Sequence, residues 1–497
     1  MREGEGVIVA NVSRRALLNA IGASATAGAA FGNTAQPRKP GAYRLARDIP
    51  VEEGYDLVVA GGGPGGAAAA ICAARLGAKV LLVEATGCLG GMATSGMMMS
   101  FCPVGDGERC LAGGLMLELI ETLYTRGFLK PGIHPDAWRK KFGQWTPFNA
   151  EGLKLLLDEL STAAGVEVRF FTELIDADAD ARSGEVRGAV IHNIEGYRYI
   201  RARTFIDGTG NGVLAKLCGA TCRDAGKDTP GIMPPTLISL FSGIDWDRMG
   251  DQQAALKKAL ADNFFKQPDQ HFPGMQQIGQ HIGLLNAGHI FKLDALREKS
   301  MTDGMMLGRR LAQEYIAFYH KYVPGCENVE HVTTAPLMGL RESRCVLGEY
   351  ELNLADYNAR RKFPDQIGVY NYPIDIHVYD TSQEQYARYS KEFRETGRMK
   401  PGESVGLPYG MLVPKGWKNL WVAGRCASMD VQVHGAFRVQ PAAVMMGQAA
   451  GTAAVQSVRT SRPAAQIDTE VLVTTLRKAG AYLPQQTTSQ RMTRRNA

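Results

Sequence analysis

Several familiar features are missing from this 497-residue chain, and each absence narrows what it can be. No apolar run reaches the roughly 20 residues that a bilayer-spanning helix needs. The nine cysteines, at positions 72, 88, 102, 110, 218, 222, 326, 345 and 426, form no C-x-x-C pair. A haem-attachment C-x-x-C-H and an iron–sulfur cysteine run are therefore excluded. No cysteine–histidine cluster has zinc-finger spacing, so the sequence predicts no metal site. Most of the thiols read as small buried hydrophobes. Cys102 and Cys110 flank the polar, glycine-rich stretch Pro103–Gly107, and are spaced to pair in an oxidising compartment. Charge of one sign is also scarce in the body of the chain. The net charge is +6, but half of that excess lies before Gly41 and the other half on Arg491, Arg494 and Arg495. A nucleic-acid-binding protein carries its basic face on the folded part, so that class is disfavoured. No internal repeat at a fixed period is present.

The N-terminus carries Ser13-Arg14-Arg15-Ala16-Leu17-Leu18, then a weakly apolar, Ala/Gly-rich run to Phe31. Paired arginines before such a run resemble a twin-arginine export signal. The run is too short and too polar for a comfortable membrane span. Residues 1–36 are expected to be the signal, 37–53 a Pro- and charge-rich linker, and the mature protein to be periplasmic or otherwise exported.

Order is expected from Tyr55. A short apolar strand, Asp56–Ala60, runs into Gly61-Gly62-Gly63-Pro64-Gly65-Gly66, then an Ala-rich helix to Leu76, then the strand Lys79–Glu84. This is one βαβ unit. Helices are predicted over 115–126 and 150–164, a strand over 167–171, and a hairpin from 185–193 and 196–202. Thr204–Asp207 reads as a further strand. From about 226 to 400 the βαβ regularity is lost and aromatics and histidines rise. Helices are predicted there over 251–265, 304–322 and 383–396. Leu420–Gly424 returns to the strand-then-glycine pattern, and a small-residue helix is predicted over 441–458. The predicted fold is thus α/β: a Rossmann-type domain, with a parallel sheet and a β-meander, formed by 54–225 and 401–465. A substrate or cap domain of α+β type is inserted at 226–400, and an extension and tail follow at 466–497.

Gly61, Gly63 and Gly66 fill the pattern G-x-G-x-x-G between strand and helix. The first allows a tight turn, the second lets backbone approach a pyrophosphate, and the third lets helix and strand pack closely. Free N–H groups at the helix start attract phosphate oxygens. Glu84, 18 residues after Gly66, is placed to accept hydrogen bonds from ribose hydroxyls. Together these predict a dinucleotide site without separating FAD from NAD. Leu89-Gly90-Gly91-Met92-Ala93-Thr94, Ile206–Gly212, Gly339–Arg344 and Pro414–Ala454 extend the pattern. With these stretches the chain resembles the FAD-dependent oxidoreductases of the glutathione-reductase-like, two-domain Rossmann superfamily. The likeness is strongest to a broad bacterial FAD-dependent family. It covers about 54–225 and 335–460. The resemblance implies that FAD is held by Gly61, Gly63, Pro64, Gly65, Gly66, Glu84, Gly90, Gly91, Met92, Asp207, Gly208, Gly210, Gly424, Arg425, Pro441 and Ala442. It also implies that the helix after Pro441 points its N-terminus at the flavin ring. Gly208 and Asn211 stand where relatives commonly carry Ala and Asp.

Four residues are catalytic candidates. Arg341, in Arg341-Glu342-Ser343-Arg344, suits bidentate binding of a substrate carboxylate, or an ion pair with Glu342 or Glu349. His377 suits a general base, with Asp375 on the same side if the segment is a strand. His434 and Arg438 lie just before the flavin helix, and His434 is preferred for its sequence proximity to Pro441. Cys88, beside the Gly-Gly, has no resolving cysteine placed near it by the sequence. The function expected is an exported FAD-dependent dehydrogenase or oxidase. It would take a hydride from a small organic substrate to flavin N5 and pass electrons to oxygen, a quinone or a carrier protein. No second G-x-G-x-x-G with a following acid argues for a dedicated NAD(P)H domain. The rival readings are a flavin-dependent isomerase or lyase and a non-catalytic flavin-binding protein.

Overall fold

The computed structural model describes Gly41, Tyr43 and residues 45–484. The twin-arginine segment and the C-terminal tail lie outside the described residues. From Ile49 the chain packs as one unit; the short described stretch before it carries no helix or strand.

The main sheet is built on the strand Val51–Ala60. Val80–Val83 and then Glu167–Arg169 pair parallel on one side of it. Gly196–Asp207 pairs parallel on the other, with Val59 opposite both Leu82 and Ile206. Leu420–Val422 adds a further parallel pairing at the end of that strand, with Trp421 opposite Ile206. Beyond it, Glu185–Asn193 and Glu173–Asp180 continue antiparallel as a meander. Leu57, Val58, Val59 and Ala60 are all buried, as expected of strands covered on both faces. The predicted α/β class, with its meander, is the fold observed.

Two helices cover one another against this sheet: the first helix, Pro64–Arg75, and the late helix, Gln440–Thr460. Their contact is made by small residues. A Cβ on Gly447 would lie 2.0 Å from the Gly65 carbonyl oxygen, and one on Gly451 would lie 2.2 Å from that of Ala69. Spaced four apart, the two glycines give the late helix one face with no side chain, and that face lies on the first helix.

A second, antiparallel sheet has the order Met275–Gln277, Gly283–Leu285, Ser239–Ser242, Glu330–Thr334. The helices Gln252–Ala261 and Glu298–Tyr322 pack beside it. It has its own aromatic core, including Phe241, Phe272, Tyr315, Phe318 and Tyr319.

Several boundaries differ from expectation. The first strand starts at Val51, inside the predicted linker, because charged Glu52 and Glu53 mask a partly exposed strand start that pairs with Tyr199 and Ile200. Glu173–Asp180 was not predicted, since its acidic residues suit an exposed outer strand rather than an apolar run. Gly196–Asp207 is one long strand rather than two. The helix at Glu298–Tyr322 begins six residues before Gly304. There glycine makes room for packing: a Cβ on it would lie 2.2 Å from Leu293 Cδ1. Cys102 and Cys110 are both free thiols, and Cys110 Sγ contacts the Ala112 carbonyl at 3.7 Å.

Candidate active site

One cavity of about 530 Å³ lies at the C-terminal ends of the parallel strands, bordered by Ala60, Val83 and Ala423. This is where ligands bind in open α/β sheets, because the strand-to-helix turns leave a crevice there. Four glycine-bearing stretches, far apart in sequence, converge on it. Gly61, Gly63, Pro64 and Gly65 line it, as do Gly91, Met92, Gly208, Gly210, Gly424 and Arg425.

The close approach is specific. Gly61 has φ +85°, and a Cβ on it would meet Thr209 Cα at 2.7 Å. Gly66 does not border the cavity but sets its shape: a Cβ there would lie 1.8 Å from the Gly61 carbonyl oxygen. The departure from the family at Gly208 has the same cause, since a Cβ would meet Gly66 Cα at 2.6 Å. Gly90 also stands back, its N–H donating to the Gly62 carbonyl at 2.8 Å and fixing Gly91 against Gly63.

Glu84 ends its strand buried and on the cavity wall. Its Oε2 accepts from the Gly62 N–H at 2.7 Å, and its Oε1 from the Thr86 N–H and hydroxyl, each at 2.8 Å. These bonds fix the carboxylate at the lip of the glycine turn. Asp207 departs from expectation. Its carboxylate is fully buried and does not border the cavity. It accepts from Thr209 N–H (3.0 Å), Thr209 hydroxyl (2.6 Å) and Ala215 N–H (2.9 Å). It holds the Gly208–Gly210 bend in shape from behind.

Both packed helices open on this cavity. The first helix has Gly63 at its N-cap and Pro64 in its first turn, and no side chain caps it. The late helix begins after Val439, also without a side-chain cap. Val439, Gln440 and Ala443 border the cavity, whereas Pro441 and Ala442 face inward. Uncapped helix starts present free N–H groups and the positive end of the helix dipole. A cradle of side-chain-free backbone, two such helix starts and a strand-end carboxylate fit the phosphates and ribose of a dinucleotide.

The other end of the cavity is lined by side chains, among them Arg341, Tyr372, Asp375, His377 and Arg438. Arg341 is 5% exposed, and its Nη1 donates to the Pro234 carbonyl. Among the described residues no carboxylate lies within ion-pair distance of it. Glu342 instead accepts from Met233 N–H, and Glu349 from Gly416 N–H. Burial, and Arg438 after it, push the Arg341 guanidinium down to about 10. Arg438 donates through Nη2 to the Asp375 carboxylate at 3.2 Å, while its buried Nε has no partner. Arg425 donates to the carbonyls of Gly210 and Leu340 and to Asn211 Oδ1, and burial pushes it down to about 10.

The two candidate histidines exchange rank. His434 is buried in the helix Val431–Phe437 and does not border the cavity. Its Nε2 bonds the Arg425 carbonyl at 3.0 Å. Nearness along the chain to Pro441 misled, because the helix turns the ring away. His377 does border the cavity. Its segment is not a strand, yet Asp375 Oδ1 lies 3.4 Å from its Nε2. Its Nδ1 meets His289 Nε2 at 2.9 Å. Behind them His289 Nδ1 lies 3.0 Å from Asp269 Oδ2, and the His271 ring stacks on His289. His271, His289 and Asp269 were missed by sequence reasoning, and with them this histidine cluster, because they are lone polar residues in irregular segments with no local spacing to mark them. Cys88 Sγ lies 3.1 Å from Ser95 Oγ.

Comparison with known proteins places the chain. Residues 56–478 match the profile of a family described as FAD dependent oxidoreductase. A dihydrolipoyl dehydrogenase of Trypanosoma brucei brucei is 58% identical over 45 residues, which is 9% of this chain and 9% of that protein. Among solved structures, a geranylgeranyl bacteriochlorophyll reductase-like protein from Thermoplasma acidophilum aligns over 86% of this chain and 83% of its own. Its identity is 14% and its TM-score 0.44. The p-nitrophenol 4-monooxygenase of Pseudomonas putida aligns over 90% and 92%, with 12% identity and a TM-score of 0.44. With a family match running from the first strand to beyond the late helix, over a cavity shaped for a dinucleotide, the chain belongs to the FAD-dependent oxidoreductase family, and FAD is its cofactor.

Proposed function

We propose that this chain is an exported dehydrogenase or oxidase that removes a hydride from a small organic substrate carrying a carboxylate or a comparable anionic group. FAD, when bound, supplies the two-electron acceptor. The glycine bends and Glu84 are the residues that would hold its phosphates and ribose.

Arg341 carries this reading. It is a buried guanidinium on the cavity wall with one backbone carbonyl as its hydrogen-bond partner and no carboxylate in ion-pair reach among the described residues. Burying a cation without a counter-charge is costly, and an anionic substrate offsets that cost by a bidentate pair. Arg438, anchored by Asp375, adds a second positive group at the same end. The substrate is thereby oriented with its anionic end fixed and the bond to be oxidised turned toward the late helix. The uncapped N-terminus of that helix favours negative charge there.

His377 takes the proton that leaves the substrate. Burial first, then Arg341 and His289, hold its imidazole well below the usual histidine range. It is therefore neutral at pH 7 and offers a lone pair. Asp375 positions the ring. The electrons then leave to oxygen, a quinone or a carrier protein.

The test is anaerobic mixing of flavin-loaded protein with a panel of small 2-hydroxy and 2-amino acids beside their amides and esters. Bleaching of the oxidised-flavin band by acids, and far slower bleaching by the neutral analogues, is expected. Equal rates for acids and neutral analogues would sink the anion-binding part. Silence toward every acid and analogue, in protein whose flavin is readily reduced by dithionite, would sink the oxidation itself.

A further inference from the structure

We infer that His271, His289 and His377 form a site for one divalent transition-metal ion in the wall of the substrate end of the cavity. One ring nitrogen from each residue can be chosen so that all three lie within 4.8 Å of one another. The rings are in mutual contact. The His271 centroid is 4.7 Å from that of His289 and 4.5 Å from that of His377, and His289 and His377 meet edge to face.

Three observations favour an ion over three packed imidazoles. The first is the arrangement of the outer nitrogens. His289 Nδ1 lies 3.0 Å from Asp269 Oδ2, and His377 Nε2 lies 3.4 Å from Asp375 Oδ1. Carboxylates stand beside the outer nitrogens of metal-ligating histidines in carboxylate–histidine–metal arrangements. The second is the inner pair: His289 Nε2 and His377 Nδ1 face each other across 2.9 Å, a gap that one shared proton or one bound ion can close. The third is His271. Its ring makes no hydrogen bond to any described residue, although its backbone N–H is tied to Asp269 at 2.9 Å. A proton shared between His289 and His377 would satisfy those two and leave His271 without a role. A metal ion uses all three.

The donor set narrows the ion. Imidazole nitrogens suit zinc, cobalt, nickel, copper and iron, and are poor ligands for calcium or magnesium. Arg341 and Arg438 stand nearby, and Arg438 already pairs with Asp375. Binding therefore depends on the nitrogen ligands more than on surrounding negative charge. Of the three histidines only His377 borders the cavity, so the ion would sit at the wall with its remaining position turned to the substrate. Three protein ligands with one position free is the pattern of catalytic rather than structural zinc. Water on such an ion is acidic enough to be hydroxide near neutral pH. With the ion bound, that hydroxide rather than the free imidazole receives the substrate proton and becomes water. The site does not depend on the oxidation proposed above: if no ion binds, His377 remains available as a base.

The experiment uses the full, flavin-loaded chain, stripped with a chelator and equilibrated with Zn2+ or Co2+. Metal is counted by mass spectrometry against flavin, and the Co2+ form is read by its visible ligand-field bands. One ion per chain is expected, with intense bands of a four-coordinate, nitrogen-ligated ion. His271→Ala and His289→Ala should each abolish uptake while keeping the flavin absorbance. Asp269→Asn, which removes the carboxylate charge beside the outer nitrogen of His289, should weaken binding roughly 10- to 100-fold. Flavin retention shows in each case that the variant has folded. Substoichiometric uptake of both metals by the wild type, or uptake unchanged in the two alanine variants, would overturn the site.

Discussion

The two ends of the cavity are made differently. The nucleotide end is made of backbone: bends at Gly61–Gly66, Gly90–Gly91 and Gly208–Gly210, two uncapped helix starts, and a single carboxylate. The substrate end is made of side chains from segments far apart in sequence, with Arg341, Asp375, His377 and Arg438 on the wall and His271 and His289 behind. Backbone can approach a ligand only where a side chain is absent, so the first kind of site is written as glycines in a short window. The second kind needs only that the right side chains meet in space, and the fold can bring them from anywhere.

Substitutions should separate the two ends. The largest effect is expected from Gly66→Val, whose Cβ would sit 1.8 Å from the Gly61 carbonyl. Overpacking of this kind destabilises by about 1–3 kcal/mol or more, and the purified protein should carry almost no flavin. Normal flavin content would break the contrast at its backbone end. Next comes Arg341→Met. Losing a buried cation that faces a substrate anion costs roughly 3–4 kcal/mol. kcat/KM should fall about 10²- to 10³-fold with flavin content unchanged; loss of flavin would show that the two ends are not separate. Glu84→Gln is expected to be milder. Its bond from the Gly62 N–H loses charge assistance, worth about 1–1.5 kcal/mol, so FAD should dissociate roughly tenfold more readily while the rate of the loaded enzyme stays the same.

The smallest kinetic effect is expected at His434, which borders neither end. Burial first, then Arg438, push its imidazole down to about 3. The unfolded chain, with an ordinary histidine near pH 6.5, therefore takes up the proton first. Stability from this group is intact above pH 6.5 and is lost as the pH falls toward 3. His434→Gln should change turnover by no more than about twofold. Its melting temperature should decline less steeply than that of the wild type between pH 6.5 and 4; parallel declines would refute the assignment.

The same contrast explains what could be read from the sequence. The α/β class, the meander and a dinucleotide site all rest on glycines or on apolar periodicity, and both are local signals; FAD in particular came from the resemblance of the glycine-bearing stretches to a known family. Asp207 was misjudged because a residue beside a cofactor motif need not face the cofactor; it braces the turn from within. His434 was misjudged for a related reason, since distance along the chain does not fix the direction of a helical side chain. His271 and His289 gave no signal. They lie 18 residues apart, and their partner His377 is 88 residues beyond His289.

Gly447 and Gly451 also bear on biosynthesis. The surfaces they meet, at Gly65 and Ala69, are translated early, whereas the helix that covers them and the strand Leu420–Val422 beside it emerge only near the end. A nascent polypeptide on the ribosome thus has an unfinished sheet and half a cradle, and a truncated product would be left in the same state. Cofactor capture must wait until translation is nearly over, so flavin loading itself reports that the polypeptide has been made through to its late helix.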